Sequence, residues 1–433
     1  EKMIFSGIDH RNTFGILCMA GKARSVDQPL MTFRCSSVDH VRDRLRQFSL
    51  TAEEFSLINP NTLTCPTFRN GADAVLTKVI YKRVPVLVNE ITDANPWGIS
   101  FLRMFDMAND SGRFQSQPGE DMLPLYEAKM MHQFDHRYST YEGATQANLN
   151  EGSLPQTTPD QKADPRFTVR PRYWVPEDEV LRRASNLPPN ILNAKLEDDD
   201  PWDSFFHTND KLVQGIIYWF GGHFYNTGQD DKGNALFRLQ KDIYVDPELK
   251  MTRQEAMAME KQYPLSDDEL QFFQQGHHIP GDLTFIVRML ILQRAPRWLI
   301  CFRDVTSTVV YRTAIFSVLP TVGVGHKAPI LIPSACDSQL AGCLFASMNS
   351  MVLDYVARLK MSGGLSYFYL KQFPVLPPTA YTDADVLNIV PRVLELVYTS
   401  WDIEAFGNSV WRDAKEPLRE IIKQQWNENK AAT

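Results

Sequence analysis

The chain has 433 residues, of which 43% are hydrophobic and 22% charged, and its formal net charge is −7. This length exceeds what one hydrophobic core usually serves, so we expect more than one domain. The acidic balance argues against a protein that coats nucleic acid nonspecifically, because that role needs a strongly basic surface. No apolar run has the length of a membrane helix, and the cysteines form no Cys-x-x-Cys pair. We therefore expect a cytoplasmic protein without a membrane span, a zinc ribbon or a disulfide framework.

The first sixty residues predict short strands followed by two helices. Residues 2–6 and 12–20 have the apolar character of strands, and 38–47 has the spacing of a helix. A second helix should begin after Thr51, because Glu54 stands three residues later and the pair can form a capping box. The chain opens without an initiator Met or a secretory signal, so we expect it to be a piece of a longer protein.

The stretch 59–87, NPNTLTCPTFRNGADAVLTKVIYKRVPVL, places a Cys- and Pro-rich turn before a helix with basic residues. The helix should begin near Gly71, and Pro85 limits how far it can run. One face carries the apolar positions Val75, Val79 and Ile80. Lys78 and Lys82 are four residues apart and should fall together on another face. The spacing predicts a helix that packs on one side and presents cations on another.

Strands and loops alternate through the next hundred residues. Residues 98–107 and 124–138 have the character of strands. The segment 142–165 has almost no large apolar residue and predicts a long exposed loop. A strand at 167–174 should then lead into a helix at 177–185.

The segment 187–283 is the least regular part of the chain. It contains the acidic run LEDDDPWD and the aromatic, Gly-rich run IIYWFGGHFYN, and we interpret it as an inserted subdomain that is partly helical. Strands resume at 298, and 339–359 is the clearest helix in the chain. A Gly-Gly break and a short aromatic strand should follow it, and the remaining residues are helical in character.

These elements predict an α+β fold of mixed strands and helices in which one region is split in two by an insertion. The boundaries that follow are 1–50 for a β-rich link, 51–186 for the first half of the main region, 187–290 for the inserted subdomain, 291–378 for the second half, and 379–433 for a C-terminal helical segment.

Charge is segregated along the chain. Lys and Arg predominate in 69–83, 288–312 and 357–371, whereas 195–203 is acidic. In the last basic stretch, Arg358 and Lys360 at a helix end precede four small residues, Ser362, Gly363, Gly364 and Ser366. Glycines let a backbone approach a phosphate closely, cations neutralise it, and hydroxyls can reach base edges. The same residues also fit a helix that ends at a glycine before a core strand. The pattern leaves both interpretations open.

Catalytic motifs are scarce. The triplet Glu127-Ala128-Lys129, with Asp106 upstream, could supply the centre of a metal-dependent nuclease. No Gly-rich cofactor loop follows a strand, and no Asn-Pro-Pro-Tyr motif is present. A complete active site is not visible in the sequence.

Several stretches together resemble a known family. They are the 59–87 stretch quoted above, NPWGISFLRMFDMANDS, LPLYEAKMMHQFDHRYSTYEGATQ, RYWVPEDEV, WLICFRDVTSTVVYRTAIFSVLPTVGVGHKAPILIP and MVLDYVARLKMSGGLSYFYLKQFPVLPP. In this order they resemble the C-terminal half of large bacterial N6-adenine DNA methyltransferases, as found in type IIG-like restriction-modification and in BREX and DISARM phage defence. The resemblance covers most of 55–180 and 295–400.

The resemblance implies that this chain is a target recognition region, which docks on double-stranded DNA and selects the sequence. It also implies that the S-adenosylmethionine site and the Asn-Pro-Pro-Tyr motif lie in a preceding methyltransferase domain, so that this chain itself holds no cofactor. Residues 1–50 would then link to that domain. Other defence-system subunits are further expected partners.

For this role we select phosphate-contacting and base-reading residues. The expected phosphate contacts are Arg69, Lys78, Lys82, Arg83, Arg137, Arg358 and Lys360. The expected readout loop comprises Ser362, Gly363, Gly364 and Ser366. Two alternatives stay open: a platform on which subunits of a defence complex dock, and a metal-dependent nuclease that uses Asp106, Glu127 and Lys129.

Overall fold

The computed structural model describes residues 15–24, 26–187, 189–192, 224–229, 235–239, 279–280, 291, 294–361 and 363–432. They form helices together with antiparallel and mixed sheets, so the α+β prediction is confirmed. The chain divides into two compact units. The first comprises 1–118, 124–174 and 297–433, and the second comprises 119–123 and 175–296.

The described strands and helices are numbered in chain order. The strands are β1 (Leu30–Met31), β2 (Phe48–Ser49), β3 (Ile99–Leu102), β4 (Met122–Tyr126), β5 (Trp174–Pro176), β6 (Phe224–Gln229), β7 (Ala235–Leu239), β8 (Ile279–Pro280), β9 (Trp298–Phe302), β10 (Phe316–Pro320), β11 (Gly323–Val324) and β12 (Ile330–Pro333). The helices are α1 (Val38–Arg42), α2 (Ala52–Ile58), α3 (Gly71–Arg83), α4 (Gln146–Glu151), α5 (Pro159–Ala163), α6 (Glu177–Ala184), α7 (Pro189–Leu192), α8 (Ser338–Met348), α9 (Met351–Lys360), α10 (Tyr367–Leu370), α11 (Asp383–Val397), α12 (Glu404–Asp413) and α13 (Leu418–Ala432).

The core of the first unit is built on a four-stranded antiparallel sheet. Its strand order is β10-β9-β12-β3, with Phe316 opposite Phe302 and Ile330 opposite both Cys301 and Leu102. Nearly every residue of β9 is buried, as its unbroken apolar sequence WLICF requires. Helices α8, α9, α11 and α12 contribute their buried residues to the same hydrophobic core.

The helix predicted at 339–359 is in fact two helices, α8 and α9, bent by 56° relative to each other. The side chain of Asn349 causes the break, because its Oδ1 accepts the backbone N–H of Phe316 at 3.1 Å and its Nδ2 donates to the Phe316 carbonyl at 3.2 Å. Ser350 then caps α9 by accepting the N–H of Leu353 at 3.2 Å. Asn349 thereby satisfies the backbone N–H and carbonyl of Phe316, which point away from β9.

Local signals at several helix starts are confirmed. Thr51 and Glu54 form the reciprocal capping box at the start of α2. Helix α3 begins at Gly71 and ends at Arg83, two residues before Pro85. The predicted helix at 177–185 corresponds to α6, and the residues after 379 form three helices.

Other predictions are wrong. The helix at 38–47 ends at Arg42, because Asp43 leaves the helical conformation and its carboxylate accepts the N–H of Leu45. Residues 15–20 are exposed and form no strand, while 2–6 lies outside the described residues. The segment 142–165 is not a plain loop, because capping boxes start α4 and α5 within it.

The second unit contains α6, α7 and a three-stranded antiparallel sheet of order β6-β7-β8. Arg182 donates to the carbonyl of Leu192 at 2.7 Å and so joins the two helices. Most of the insertion predicted at 187–290, including the acidic run 195–203, lies outside the described residues.

No single helix in the described part of the chain has the length and apolar content to span a membrane. Among the described residues, α8 and α9 pass that test only when taken together across their 56° bend.

We expect the Asn349→Ala substitution to lower the free energy of unfolding by about 2 kcal/mol, because the buried N–H of Phe316 loses its acceptor. Urea unfolding measures this change. Met351→Ala, at an exposed position at the start of α9, is the matched control and should change the value by less than about 0.5 kcal/mol. An equal effect of both substitutions would contradict this role for Asn349.

Candidate nucleic-acid interface

The two distant stretches selected from the sequence, 59–87 and 357–371, lie against each other in the first unit. Segment 85–88 pairs with 371–375: Leu87 N–H donates to the Phe373 carbonyl at 2.8 Å, and Val375 N–H donates to the Pro85 carbonyl at 3.0 Å. The structure therefore brings together the two halves of the predicted recognition region.

Lys360 lies at the centre of this junction. The sequence predicts an accessible phosphate contact there, but the structure places the side chain in the interior. It is buried, and its Nζ donates to the Ile58 carbonyl at 2.7 Å, to Asn59 Oδ1 at 2.6 Å and to the Gln372 carbonyl at 2.7 Å. The amine also lies 4.5 Å from the centre of the Tyr81 ring. Burial lowers the pKa of Lys360 well below its ordinary value. The phosphate contact predicted for Lys360 is wrong, because all three donors of its amine face protein oxygens.

Helix α3 buries a different face from the one predicted. Its buried residues are Ala74, Thr77 and Tyr81, and the Tyr81 hydroxyl donates to the Gln372 carbonyl at 2.7 Å. The apolar residues Val75, Leu76 and Val79 are exposed. Small side chains and one tyrosine let α3 approach the 355–373 segment closely, so the larger aliphatic residues stay outside.

The basic residues of this region divide by environment. Lys78 is half-buried and pairs with Glu54 of α2 at 3.1 Å, so its charge is already neutralised. Arg69, Lys82 and Arg83 are exposed. Lys78 and Lys82 are four residues apart, yet only Lys82 is available to an external anion.

Arg358 organises a loop. Its Nε bonds Asp354 at 2.9 Å, and its two terminal nitrogens donate to the carbonyls of Thr308, Val310 and Tyr311 at 3.3, 2.7 and 2.6 Å. A guanidinium has five donors in a fixed fork, so this set of acceptors uses most of them. The side chain holds the loop 305–312 in place, and direct phosphate contact by Arg358 is not what this geometry favours.

The two glycines of the predicted readout loop differ in the space around them. Gly363 is exposed, and a Cβ there would meet no atom within 4 Å. At Gly364 a Cβ would lie 2.6 Å from the Asp304 carbonyl oxygen, while Leu365 N–H donates to that oxygen at 2.7 Å. Ser366 occupies the N-cap position of α10, and Ser362 lies outside the described residues.

The segment after the glycines is a short helix, α10, and not the aromatic strand predicted. Neither glycine caps α9, because the helix already ends at Lys360 and its cap, Met361, has extended backbone angles. Helix α9 ends where Lys360 and Met361 are buried in the core. The Gly-Gly pair in the sequence does not indicate this end.

Asp304 is the point at which several loops meet. Its carboxylate accepts Arg103 at 3.0 Å and lies 3.9 Å from the amine of Lys327, and its backbone N–H donates to the Lys327 carbonyl. Arg103 and Lys327 are both exposed beyond this contact. With the contact to Gly364, one residue joins the loops that contain 103, 305–312, 327 and 363–366.

Arg137 is also an interior residue, with 1% of its surface exposed. Its guanidinium donates to the carbonyls of Lys162, Asp164, Phe167 and Thr399 at 2.7 to 3.1 Å. The predicted phosphate contact is wrong because the side chain is almost completely buried and its guanidinium bonds backbone carbonyls. Arg137 instead fastens the C-terminal helices to the 162–167 turn.

Three groups of exposed or half-exposed cations were missed. Arg103 and Lys327 lie at Asp304, Arg312 lies at the end of loop 305–312, and a further set comprises Arg166, Arg170 and Arg172. The last set has a signal in the sequence, because 165–174 contains three arginines and no acid. Arg103 and Lys327 have none, since each is an isolated cation that only the fold brings to Asp304.

The nuclease residues do not form a metal site. Glu127 pairs with Lys129 at 3.6 Å and accepts the hydroxyl of Tyr141, whereas Asp106 caps its own turn by accepting the N–H groups of Ala108 and Asn109. In the described ranges no three His, Cys, Asp or Glu side chains are grouped as metal ligands would be. The donor set that this chemistry requires is therefore not assembled there.

Comparison with protein-family models, with curated proteins and with solved structures finds no match to this chain. The resemblance described above therefore stays a prediction from the sequence.

We expect Lys360→Met to lower the free energy of unfolding by about 2–4 kcal/mol, because buried oxygens lose their donor. The wild-type chain gives up the Lys360 proton at a lower pH when folded than when unfolded. Its stability should therefore rise relative to Lys360→Met as the pH increases from the lowered pKa towards about 10.4. Urea unfolding at several pH values measures the difference, and exposed Lys82→Met is the control. A difference that falls with pH would contradict the lowered pKa.

We expect Gly364→Ala to destabilise the first unit by about 1–3 kcal/mol, because the added methyl group collides with the Asp304 backbone. Gly363→Ala, one residue away and open to solvent, should change stability by less than about 0.5 kcal/mol. Thermal unfolding of the two variants side by side tests this, and equal melting temperatures would show that the loops do not meet at Asp304.

Proposed function

We propose that this chain recognises double-stranded DNA as the specificity part of an S-adenosylmethionine-dependent N6-adenine DNA methyltransferase in a bacterial restriction or phage-defence system. The observation that carries the proposal is the convergence of loops at Asp304. Four sequence-distant segments meet there, with Arg103 bonded to the Asp304 carboxylate and the exposed amine of Lys327 3.9 Å from it. The stretches that resemble the methyltransferase family supply each of these segments.

The division of labour follows from the environments of the cations. Exposed Arg69, Lys82, Arg83 and Lys327 can neutralise phosphates, which positions the protein on a duplex without reading its sequence. Arg103, like Lys78, is already paired with a carboxylate. Loops 305–312 and 363–366 offer side chains and open backbone for contacts to base edges. Arg358 acts indirectly, by bonding carbonyls of loop 305–312, and buried Lys360 fixes the end of the helix that carries Arg358.

Methyl transfer would belong to a preceding domain. S-adenosylmethionine supplies the methyl group, and the target adenine must leave the duplex to receive it. This chain has neither the Gly-rich loop nor the Asn-Pro-Pro-Tyr motif for that chemistry. Its contribution is to bind the duplex and fix the register of the site.

A second role, docking of another subunit, is supported by one observation. Val75, Leu76 and Val79 form an exposed apolar patch on α3, with Val75 58% exposed. Such a patch favours burial against a protein surface. Lys82 and Arg83 end the same helix, so α3 could serve a partner subunit and DNA together.

We expect the double substitution Lys82→Ala, Arg83→Ala to weaken binding to all duplexes alike and to lower the slope of log affinity against log salt by about two, one for each lost phosphate contact. Fluorescence anisotropy with a pool of short duplexes measures both quantities. Lys415→Ala, an exposed cation before α13, is the control and should leave the slope unchanged. An unchanged slope in the double variant would remove α3 from the DNA interface, and a wild-type chain that binds no duplex at low salt would refute the function itself.

A further inference from the structure

The loop 305–312, which connects β9 to β10, exposes apolar side chains at its tip. Val309 is 87% exposed and Tyr311 is 90% exposed, and Val305 and Val310 are exposed as well. Transferring such side chains out of water is favourable, so a tip that holds them in solvent is suited to contact with something else.

Side chains of α9 hold the loop by hydrogen bonds. Arg358 donates to three of its carbonyls, and Asp354, which binds Arg358, also accepts the N–H groups of Thr313 and Ala314 at 2.7 and 2.8 Å. Thr306 Oγ1 donates to the Thr313 carbonyl at 2.8 Å, so the loop is also closed across its base. These bonds hold carbonyls of the loop from its inner side, and its apolar side chains remain exposed.

One cation lies at this tip, and others lie at the base of the loop. The guanidinium of Arg312 lies 5.8 Å from the Tyr311 ring. Arg103 and Lys327 lie at Asp304, the residue that precedes the loop. Ion pairs join Asp135 with Lys162, Asp304 with Arg103 and Asp354 with Arg358, and so neutralise acids and bases alike. Arg312 is in none of these pairs, and Lys327 lies 3.9 Å from Asp304.

An apolar tip among cations fits the cross-section of a duplex groove. Phosphates line both edges of the groove, whereas base edges and thymine methyl groups lie on its floor and accept apolar contact. Apolar side chains also enter between base steps in proteins that bend DNA. The charge pattern favours this polyanion over a protein partner, whose surface would have to match the surrounding cations.

We infer that loop 305–312 enters a groove of duplex DNA and that Tyr311 and Val309 make apolar contacts to the bases there. The inference rests on the proposed function and deepens it, because it assigns base contact to a loop outside the Gly-Gly segment. The contact to Gly364 at Asp304 makes the two loops parts of one surface.

The test uses the full chain and a pool of short duplexes with a randomised centre. Bound duplexes are sequenced, and affinity is measured by anisotropy over a range of salt concentrations. We expect Tyr311→Ala to weaken the selected duplexes about ten-fold, to relax preference at one or two base positions, and to leave the salt slope unchanged. Tyr311→Phe should behave as wild type, because the ring makes the contact. Ile91→Ala, at an exposed apolar residue in another turn, is the matched control.

The outcomes separate the inference from the function on which it rests. If the wild type binds duplexes and Tyr311→Ala binds them with the same affinity and the same base preference, the inference is overturned and the proposed function stands. A change in salt slope would also overturn it, because the tip would then act on phosphates. If the wild type binds no duplex, both the inference and the proposed function are overturned. The same holds if it binds anionic phospholipid vesicles through Tyr311 and no duplex.

Discussion

The buried amine of Lys360 joins parts of the chain that lie far apart in sequence, and the candidate interface extends outward from that contact. Its acceptors are the end of α2, at Ile58 and Asn59, and the turn after α10, at Gln372. A buried ammonium is tolerated only when its donors are all used, so these three segments are constrained together. The last turn of α9 therefore has a defined position relative to both halves of the proposed recognition region.

The loops on either side inherit that position. Arg358, two residues before Lys360, bonds the carbonyls of loop 305–312, and Gly364, four residues after it, packs on Asp304 at the base of the same loop. Small displacements of α9 would move both loops at once. A surface that reads DNA needs this kind of rigidity, since base contacts depend on groups held within a fraction of an ångström.

Cations in this protein serve two different purposes. Arg137, Arg358 and Lys360 bind backbone carbonyls and act as internal crosslinks, whereas Arg69, Lys82, Arg83, Arg103 and Lys327 keep charge at the surface. A basic stretch in the sequence therefore contains both structural cations and cations that stay exposed. Long side chains with several donors suit the first role as well as the second.

The features that the sequence alone predicts correctly are local ones. The capping box of Thr51 and Glu54, the limits of α3 between Asn70 and Pro85, and the start of β9 depend on neighbouring residues, so short-range rules predict them. Which residues are buried and which are exposed depends on the tertiary structure. Lys360 and its acceptor Ile58 are 302 positions apart, the buried face of α3 depends on Gln372, and the bend after α8 depends on Phe316. Desolvation and hydrogen bonding depend on the partner that folding supplies, and a residue's own neighbours in sequence do not identify that partner.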